Sequence, residues 1–194
     1  MKLSKIELIN FLNSKNPSSK STEKNIDQVL YFTLIWNSFE GSFFFDNVEL
    51  NNQTLFFLAQ NSTSYIQERY VDELFDFFRN RYVSNNKIRP VFKRLRFCYK
   101  KNRPSNQKVE KLVQDTLLAN APSFEAKMKV LLLIIYRFRN NLFHGVKSPL
   151  NLNKFENIYG HINTFLIRYV TALIDYKANI RKNLFDNYKN IVVI

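Results

Sequence analysis

The residues best suited to chemistry in this chain form the segment Arg139-Asn140-Asn141-Leu142-Phe143-His144-Gly145, which closes a long apolar run. An arginine offers a fixed fork of donors to phosphate oxygens, and an imidazole can act as a base or an acid near neutral pH. In a straight helix Arg139 and His144 are about 140° apart, but Gly145 favours a left-handed cap where the last turn can relax. The segment therefore predicts a cation and a titratable imidazole side by side. The alternative is that both side chains only cap a helix C-terminus, where positive charge interacts favourably with the helix dipole.

Helical periodicity predicts the elements that must position this segment. Thr22 is expected to cap a helix that runs to about Phe45, and Ser123 to cap the helix that ends at His144. The buried stripe of the first of these helices is predicted to consist of Phe32, Ile35, Trp36, Phe39 and Phe43. Further helices are predicted over residues 3–13, from Ser62 or Ser64 to about 83, after Pro104, and over about 152–177. The periodicity assigns no structure to residues 46–61.

Few turn-forming residues interrupt the chain, since its 194 residues include three glycines and five prolines. That scarcity favours long helices with short connections over a turn-rich β architecture. We predict an all-α fold, an up-down bundle of four to five long helices. The expected domain covers residues 22–180 and carries a basic helical insertion at 81–122. A short N-terminal helix and linker at 1–21 and a C-terminal tail at 181–194 flank it.

A polar stripe runs beside the buried face of the first long helix and includes Asn37 and Glu40. Polar side chains next to a core normally need hydrogen-bond partners. Asn37 and Glu40 are therefore expected to be held in an internal hydrogen-bond network or to face a site, and the alternative is that this stripe faces solvent.

The positive charge of the chain is concentrated in residues 81–108, which we call the basic segment. The chain has 29 Lys and Arg against 16 Asp and Glu, a net charge of +13. The basic segment holds ten of these cations and no acid, at Arg81, Lys87, Arg89, Lys93, Arg94, Arg96, Lys100, Lys101, Arg103 and Lys108. Such a surface predicts a polyanionic partner, and nucleic acid fits better than a membrane surface. The interleaved aromatics are expected to face the core.

Nothing in the composition predicts a metal, a cofactor or a membrane span. The single Cys98 excludes an internal disulfide and a multi-cysteine zinc site, and His161 lacks neighbours at metal-ligand spacing, so it is interpreted as structural. The N-terminus lacks the features of a signal peptide, and the longest apolar run is too short to span a bilayer. A cytoplasmic location is therefore expected.

The segment Arg139–Gly145 resembles the signature of the HEPN superfamily, whose ribonuclease members carry Arg, four to six residues beginning with a polar one, and then His. Four residues separate Arg139 from His144 here, with Asn140 in the polar position. Trp36-Asn37-Ser38-Phe39-Glu40 also resembles the first core helix of that family, and the resemblance covers roughly residues 22–180. It implies a metal-independent endoribonuclease that is active as a homodimer.

The resemblance also implies roles for individual residues. Arg139, Asn140 and His144 would be catalytic. Glu40 would lie close to the arginine and histidine, with Asn37 and Asn141 in support. The cations expected to contact RNA are Lys87, Arg89, Lys93, Arg94, Arg96, Lys100, Lys101, Arg103 and, after the motif, Lys147.

The sequence thus favours a toxin or phage-defence endoribonuclease that cuts single-stranded or loop RNA by attack of the 2′-hydroxyl. One histidine cannot easily serve as both base and acid, which a two-fold dimer with two copies of His144 in one cleft would resolve. Control would come from an antitoxin, another regulatory partner protein or substrate availability. The alternatives are a non-catalytic HEPN-like module that binds RNA or nucleotide in a larger complex, and a helical adaptor that binds an acidic protein.

Overall fold

The computed structural model describes residues 4–15, 21–44, 48–98, 104–143 and 155–192, and within these ranges it is almost entirely helical. The all-α class is therefore confirmed. The α-helices are α1 (Lys5–Lys15), α2 (Glu23–Phe43), α3 (Asn52–Ser62), α4 (Glu68–Tyr82), α5 (Pro104–Leu118), α6 (Phe124–Phe143), α7 (Glu156–Leu173) and α8 (Lys177–Val192). No helix in the described ranges combines the length and the hydropathy needed to cross a membrane.

Helix α2 begins at the predicted cap. The Thr22 hydroxyl accepts from the backbone N–H of Asn25, and the Asn25 amide oxygen accepts from the N–H of Thr22 at 3.0 Å. This reciprocal pair satisfies two of the N–H groups that a helix start leaves unpaired. Four members of the predicted stripe, Phe32, Trp36, Phe39 and Phe43, are fully buried, which confirms that this face of α2 packs into the core.

Helix α6 is the central helix and carries the candidate motif at its C-terminal end. Its start at Ser123 is confirmed, since the serine hydroxyl accepts from the N–H of Ala126 at 3.2 Å. The residues from 130 to 135 are all buried, and α6 packs against α3, α4 and α5. The middle of α6 is therefore enclosed by its neighbours, whereas Phe143 at its C-terminal end is 49% exposed.

Helices α2 and α7 pack against each other, and a buried amide joins them. Asn163 of α7 donates from Nδ2 to the backbone carbonyl of Gln28 at 2.9 Å and to the Gln28 side-chain oxygen at 3.1 Å. Phe39 and Phe43 of α2 lie against the ring of Tyr169. These contacts keep α2 and α7 side by side over most of their length.

Three elements differ from the sequence expectations. Helix α4 begins at Glu68 rather than at Ser62 or Ser64, because the Ser62 hydroxyl is buried and bonds Ala59 and Tyr169 instead. Residues 177–192, most of which were assigned to a tail, form α8, whose Ile180 and Leu184 are buried. The unassigned stretch 46–61 contains most of α3.

The basic segment begins in the last residues of α4 and continues as a hairpin rather than a helix. Strands β1 (Val83–Ser84) and β2 (Lys87–Ile88) pair antiparallel across Asn85 and Asn86, whose φ values are 50° and 54°. Two consecutive positive φ angles define a type I′ turn, which asparagine tolerates. A 3₁₀ helix over Pro90–Leu95 follows and packs against α4 and α6. The predicted basic insertion is therefore only partly helical.

Candidate active site

Arg139, in the last turns of α6, forms an ion pair with Glu40 of α2. Its Nη2 lies 3.2 Å from Oε1 and 3.4 Å from Oε2 of Glu40. Both side chains are 28% exposed, so the pair is neither fully solvated nor cut off from solvent. The structure thus places Glu40 beside Arg139, the position expected for it, with helices α2 and α6 each supplying one partner.

The Glu40 carboxylate is oriented by the core through Trp36. The indole Nε1–H of Trp36 donates to Glu40 Oε2 at 2.5 Å, and Trp36 itself is fully buried against Phe39 and Tyr136. A buried indole has little rotational freedom, and a hydrogen bond to a charged acceptor is stronger than one between neutral groups. The hydrogen bonds from Trp36 to Glu40 and from Arg139 to Glu40 therefore restrain the guanidinium against the core.

Arg139 has further contacts within its own helix end. Its Nη1 donates to the amide oxygen of Asn140 at 3.2 Å, and its guanidinium carbon lies 5.2 Å from the centre of the Phe143 ring. The Nε atom is buried and has no hydrogen-bond acceptor among the described residues. Within the part of the chain that the structure describes, one donor of this guanidinium is therefore unused.

Asn141 and Arg137 fasten the basic segment to the motif helix. The buried Asn141 amide donates to the carbonyls of Arg94 at 3.3 Å and Leu95 at 3.2 Å. Arg137 donates from Nε to the Leu95 carbonyl at 3.1 Å and from Nη2 to the carbonyl of Arg96. The carbonyls that end the 3₁₀ helix are thus capped by α6. Asn141, predicted to support the site, contacts the basic segment through these two bonds.

The cations of the basic segment point outwards while its aromatics point inwards. Lys87, Arg89, Lys93, Arg94 and Arg96 are exposed. The rings of Tyr82, Phe92 and Phe97 are buried and contact one another, as expected for core residues. In the part of the chain that the structure describes, Lys87, Arg89, Lys93 and Arg94 form no salt bridge with an acidic side chain. Their charge is available to a polyanion.

Cys98 lies within the basic segment, close to Glu110 of α5. Burial, together with a hydrogen bond to the Glu110 carboxylate, raises the pKa of the Cys98 thiol to about 11. The thiolate is the reactive form of cysteine, so Cys98 stays protonated and unreactive at neutral pH.

The remaining candidate residues divide into two groups. Asn37 is exposed on α2, and His161 is exposed and stacks on Phe77 at 4.0 Å between ring centres. His144 and Lys147, and the cations Lys100, Lys101 and Arg103, lie outside the described residues. Sequence reasoning missed Arg137 and Trp36 as residues that hold the site, although Trp36 directly precedes Asn37 and Arg137 lies two residues before Arg139.

Comparisons with known proteins give no assignment for this geometry. A scan against protein-family models and searches of curated proteins and of solved structures each found no match to the chain. The HEPN resemblance therefore rests on the motif residues, on their spacing and on the segment from Trp36 to Glu40.

Proposed function

We propose that this chain is a metal-independent endoribonuclease of the toxin or phage-defence type, which cleaves single-stranded or loop RNA. One observation carries the proposal. The Glu40–Arg139 pair and the exposed cations of the basic segment are fixed to the same end of α6, by Trp36 on one side and by Asn141 on the other. A phosphate held near Arg139 would therefore lie within the field of the basic segment.

The motif residues fit the known requirements for cleaving RNA without a metal. The 2′-hydroxyl attacks the adjacent phosphorus as a base takes its proton, and an acid protonates the leaving 5′-oxygen, which yields a 2′,3′-cyclic phosphate. His144 would act as base or acid. Arg139 would stabilise the charge that develops on the phosphorane oxygens, and Asn140 would orient His144 or the substrate. Glu40 would hold the guanidinium in place.

A second copy of the chain completes this chemistry. Each chain brings one histidine to the motif, whereas the reaction needs both a base and an acid. Two copies related by a two-fold axis would place two His144 and two Arg139 side chains in one cleft. We therefore propose a homodimer whose seam contains the site.

An RNA-binding or nucleotide-binding module without catalytic activity is the second candidate function, and the Glu40–Arg139 pair favours it. A carboxylate at 3.2 Å already neutralises the guanidinium, as in a purely structural ion pair. In that case the exposed cations would bind RNA and no strand would be cut.

Incubating the protein with single-stranded RNA in excess EDTA distinguishes the two functions. The enzyme is expected to release fragments that end in 2′,3′-cyclic phosphate, and to leave intact a strand with 2′-deoxy sugars throughout. His144→Ala prepared in parallel controls for contaminating ribonucleases. Binding of RNA without any fragments would instead establish the non-catalytic module.

Removing two exposed cations is expected to weaken RNA binding in a salt-dependent way. Lys93→Ala with Arg94→Ala leaves the Arg94 carbonyl that Asn141 bonds in place. Each phosphate contact to a single strand contributes about 0.7 to the slope of log affinity against log salt, so the slope should fall by about 1.4. Titrations at several salt concentrations measure it. Lys111→Ala is the matched control, because Asp115 at 2.8 Å already neutralises Lys111; an equal loss there would mean that net charge alone matters.

A further inference from the structure

We propose that a cavity between α4 and the β1–β2 hairpin binds a phosphate of single-stranded RNA, while an adjacent base of the same strand stacks on His161 of α7. The assignment rests on the RNA-binding function proposed above and adds the place where the strand lies. It gives roles in RNA binding to His161 and Arg81, which the sequence did not single out as RNA contacts.

Two guanidiniums face one small cavity at the C-terminal end of α4. Phe77, Asn80 and Arg81 line it together with Arg89 and Val91, and its volume is about 370 Å³. We call this cavity the basic pocket. Among the described residues no Asp or Glu lines it, and neither arginine forms a salt bridge there. Two like charges that face one cavity repel each other, and a bound anion would remove that repulsion.

The guanidinium of Arg89 has donors to offer a phosphate. Arg89 is exposed, and it donates one long hydrogen bond from Nη1 to the Asn80 carbonyl at 3.4 Å. Arginine has five N–H donors in a planar fork that fits phosphate oxygens, so this bond occupies a small part of the fork. Arg81 is held from the core side, because its guanidinium carbon lies 5.9 Å from the centre of the buried Tyr82 ring. The basic pocket can therefore bind a phosphate through two positioned arginines.

A larger groove adjoins the basic pocket, with walls from α2, α4 and α7 and a volume of about 860 Å³. We call it the neutral groove. Its charged lining residues are Glu73 and Arg168, which pair with each other at 2.7 Å. The rest of the lining includes the rings of Tyr31, Tyr70 and His161. A nucleobase is uncharged and aromatic, so the neutral groove suits a base, whereas the basic pocket suits a phosphate.

The rings of His161 and Phe77 form the wall between the two cavities. Phe77 lines the basic pocket and His161 lines the neutral groove, and the two rings stack with their centres 4.0 Å apart. Phe77 covers one face of the imidazole, yet His161 is exposed. Its other face can therefore take a base, as aromatic side chains do when proteins bind single strands.

The two adjoining cavities favour RNA over an acidic protein as the occupant. Carboxylates and phosphates would both bind the guanidiniums of the basic pocket. A nucleic acid strand, however, carries a flat aromatic base beside every phosphate, which matches a basic pocket next to a groove lined with rings. The strand must be single, because the bases of a duplex are stacked on one another and cannot enter the groove.

The 3₁₀ helix connects the basic pocket with the candidate active site. Arg89 precedes its first residue, and Asn141 of α6 bonds the carbonyl of its last residue, Leu95. Its six residues span about 12 Å at a rise of about 2.0 Å each. A strand held in the basic pocket can run along the exposed cations of the basic segment towards Arg139. The subsite would therefore position the strand and take no part in the reaction itself.

Removing the ring of His161 tests the stacking contact. His161→Ala is expected to weaken binding of a single strand with 2′-deoxy sugars by about five- to 150-fold, the range for losing one stack between a base and an aromatic ring. His161→Phe keeps a ring and should retain most of the affinity. Tyr176→Ala is the matched control and should bind like the wild type, because Tyr176 is an exposed ring that stacks on Tyr65 at 4.1 Å outside both cavities.

A strand of equal length made only of abasic sites separates the base contact from the phosphate contact. The wild type should bind it more weakly than the ordinary strand, and His161→Ala should cause no further loss. Arg89→Ala should weaken both strands alike and lower the slope of log affinity against log salt by about 0.7, the contribution of one phosphate. Lys182→Ala removes an exposed cation of α8 outside both cavities and should leave the slope unchanged.

The measurements distinguish failure of the subsite from failure of the proposed enzyme. Unchanged affinity in His161→Ala, an equal loss on the ordinary and abasic strands, or an unchanged salt slope in Arg89→Ala overturns the subsite, even in a protein that cuts RNA. A protein that shows the expected binding and cuts no RNA upholds the subsite while rejecting the endoribonuclease. A wild type that binds neither strand rejects both.

Discussion

Replacing His144 with alanine is expected to lower the rate of RNA cleavage by about 10²–10⁴, the range typical for losing a positioned general acid or base. The same change should leave RNA binding intact, because the exposed cations of the basic segment supply that affinity. Single-turnover cleavage of a labelled strand, beside a binding titration with a 2′-deoxy strand, measures both quantities on one preparation. Unchanged cleavage by folded, dimeric His144→Ala protein would refute the proposed mechanism.

Replacing Arg139 tests a different role from that of His144, the stabilisation of developing charge. Arg139→Ala is expected to lower cleavage by about 10²–10³, as for the loss of one group that stabilises developing charge. Arg139→Lys keeps the charge but loses the planar fork that contacts Glu40 and Asn140, so it should recover only part of the rate. Full activity of Arg139→Lys would show that charge alone suffices.

Mixing subunits shows whether the site is shared between two chains. Equal amounts of wild type and His144→Ala, allowed to exchange, leave about a quarter of the dimers with two wild-type copies. If one cleft needs both histidines, cleavage per total protein should fall to about a quarter. Independent sites would retain about half.

The parts of the fold that sequence predicted correctly have local causes. Thr22 and Ser123 were recognisable as caps because a cap is formed by residues within one turn. Helix α3 had an equally local signal that was overlooked: Asn51 and Thr54 form a capping box, with the Asn51 N–H donating to the Thr54 hydroxyl at 2.9 Å. The Asn85-Asn86 pair likewise indicated the hairpin.

The parts that sequence could not predict depend on contacts between distant residues. Nothing local shows that Asn141 and Arg137 would bond the carbonyls that end the 3₁₀ helix of the basic segment. The proximity of Glu40 and Arg139 was expected only from the family resemblance, since the two residues belong to different helices. Residue types can therefore suggest a site, whereas its geometry follows from how α2, α6 and the basic segment pack.

Trp36 joins the core to the site, and its replacement is expected to have the largest effect on stability. Trp36→Ala removes a fully buried ring that contacts Phe32, Phe39 and Tyr136. Truncations of this kind cost about 3–5 kcal/mol, a large part of the roughly 5–15 kcal/mol that stabilises a typical domain. Urea unfolding followed by circular dichroism measures the loss. Tryptophan fluorescence cannot report the unfolding of this variant, because Trp36 is the only tryptophan in the chain.

Trp36→Phe separates the two roles of this side chain. Phenylalanine keeps most of the buried ring but has no N–H to donate to Glu40, so the carboxylate loses the bond that orients it. We expect a folded protein whose cleavage is reduced. Phe39→Leu is the matched control, because Phe39 is equally buried and contacts the Trp36 ring, but its side chain has no group that could donate a hydrogen bond to Glu40. It should lose stability and keep its activity per folded molecule.

A double-mutant cycle decides whether Trp36 acts on the reaction through Glu40. Glu40→Gln keeps the shape of the side chain but removes the charge that pairs with Arg139. If the indole matters only because it orients the carboxylate, Trp36→Phe should lower cleavage in the wild-type background and have little further effect in Glu40→Gln. Residues that act through one shared contact are non-additive in this way, whereas independent residues add. Additive losses in the cycle would mean that Trp36 supports the site by packing alone, and that the Trp36–Glu40–Arg139 chain does not orient the guanidinium.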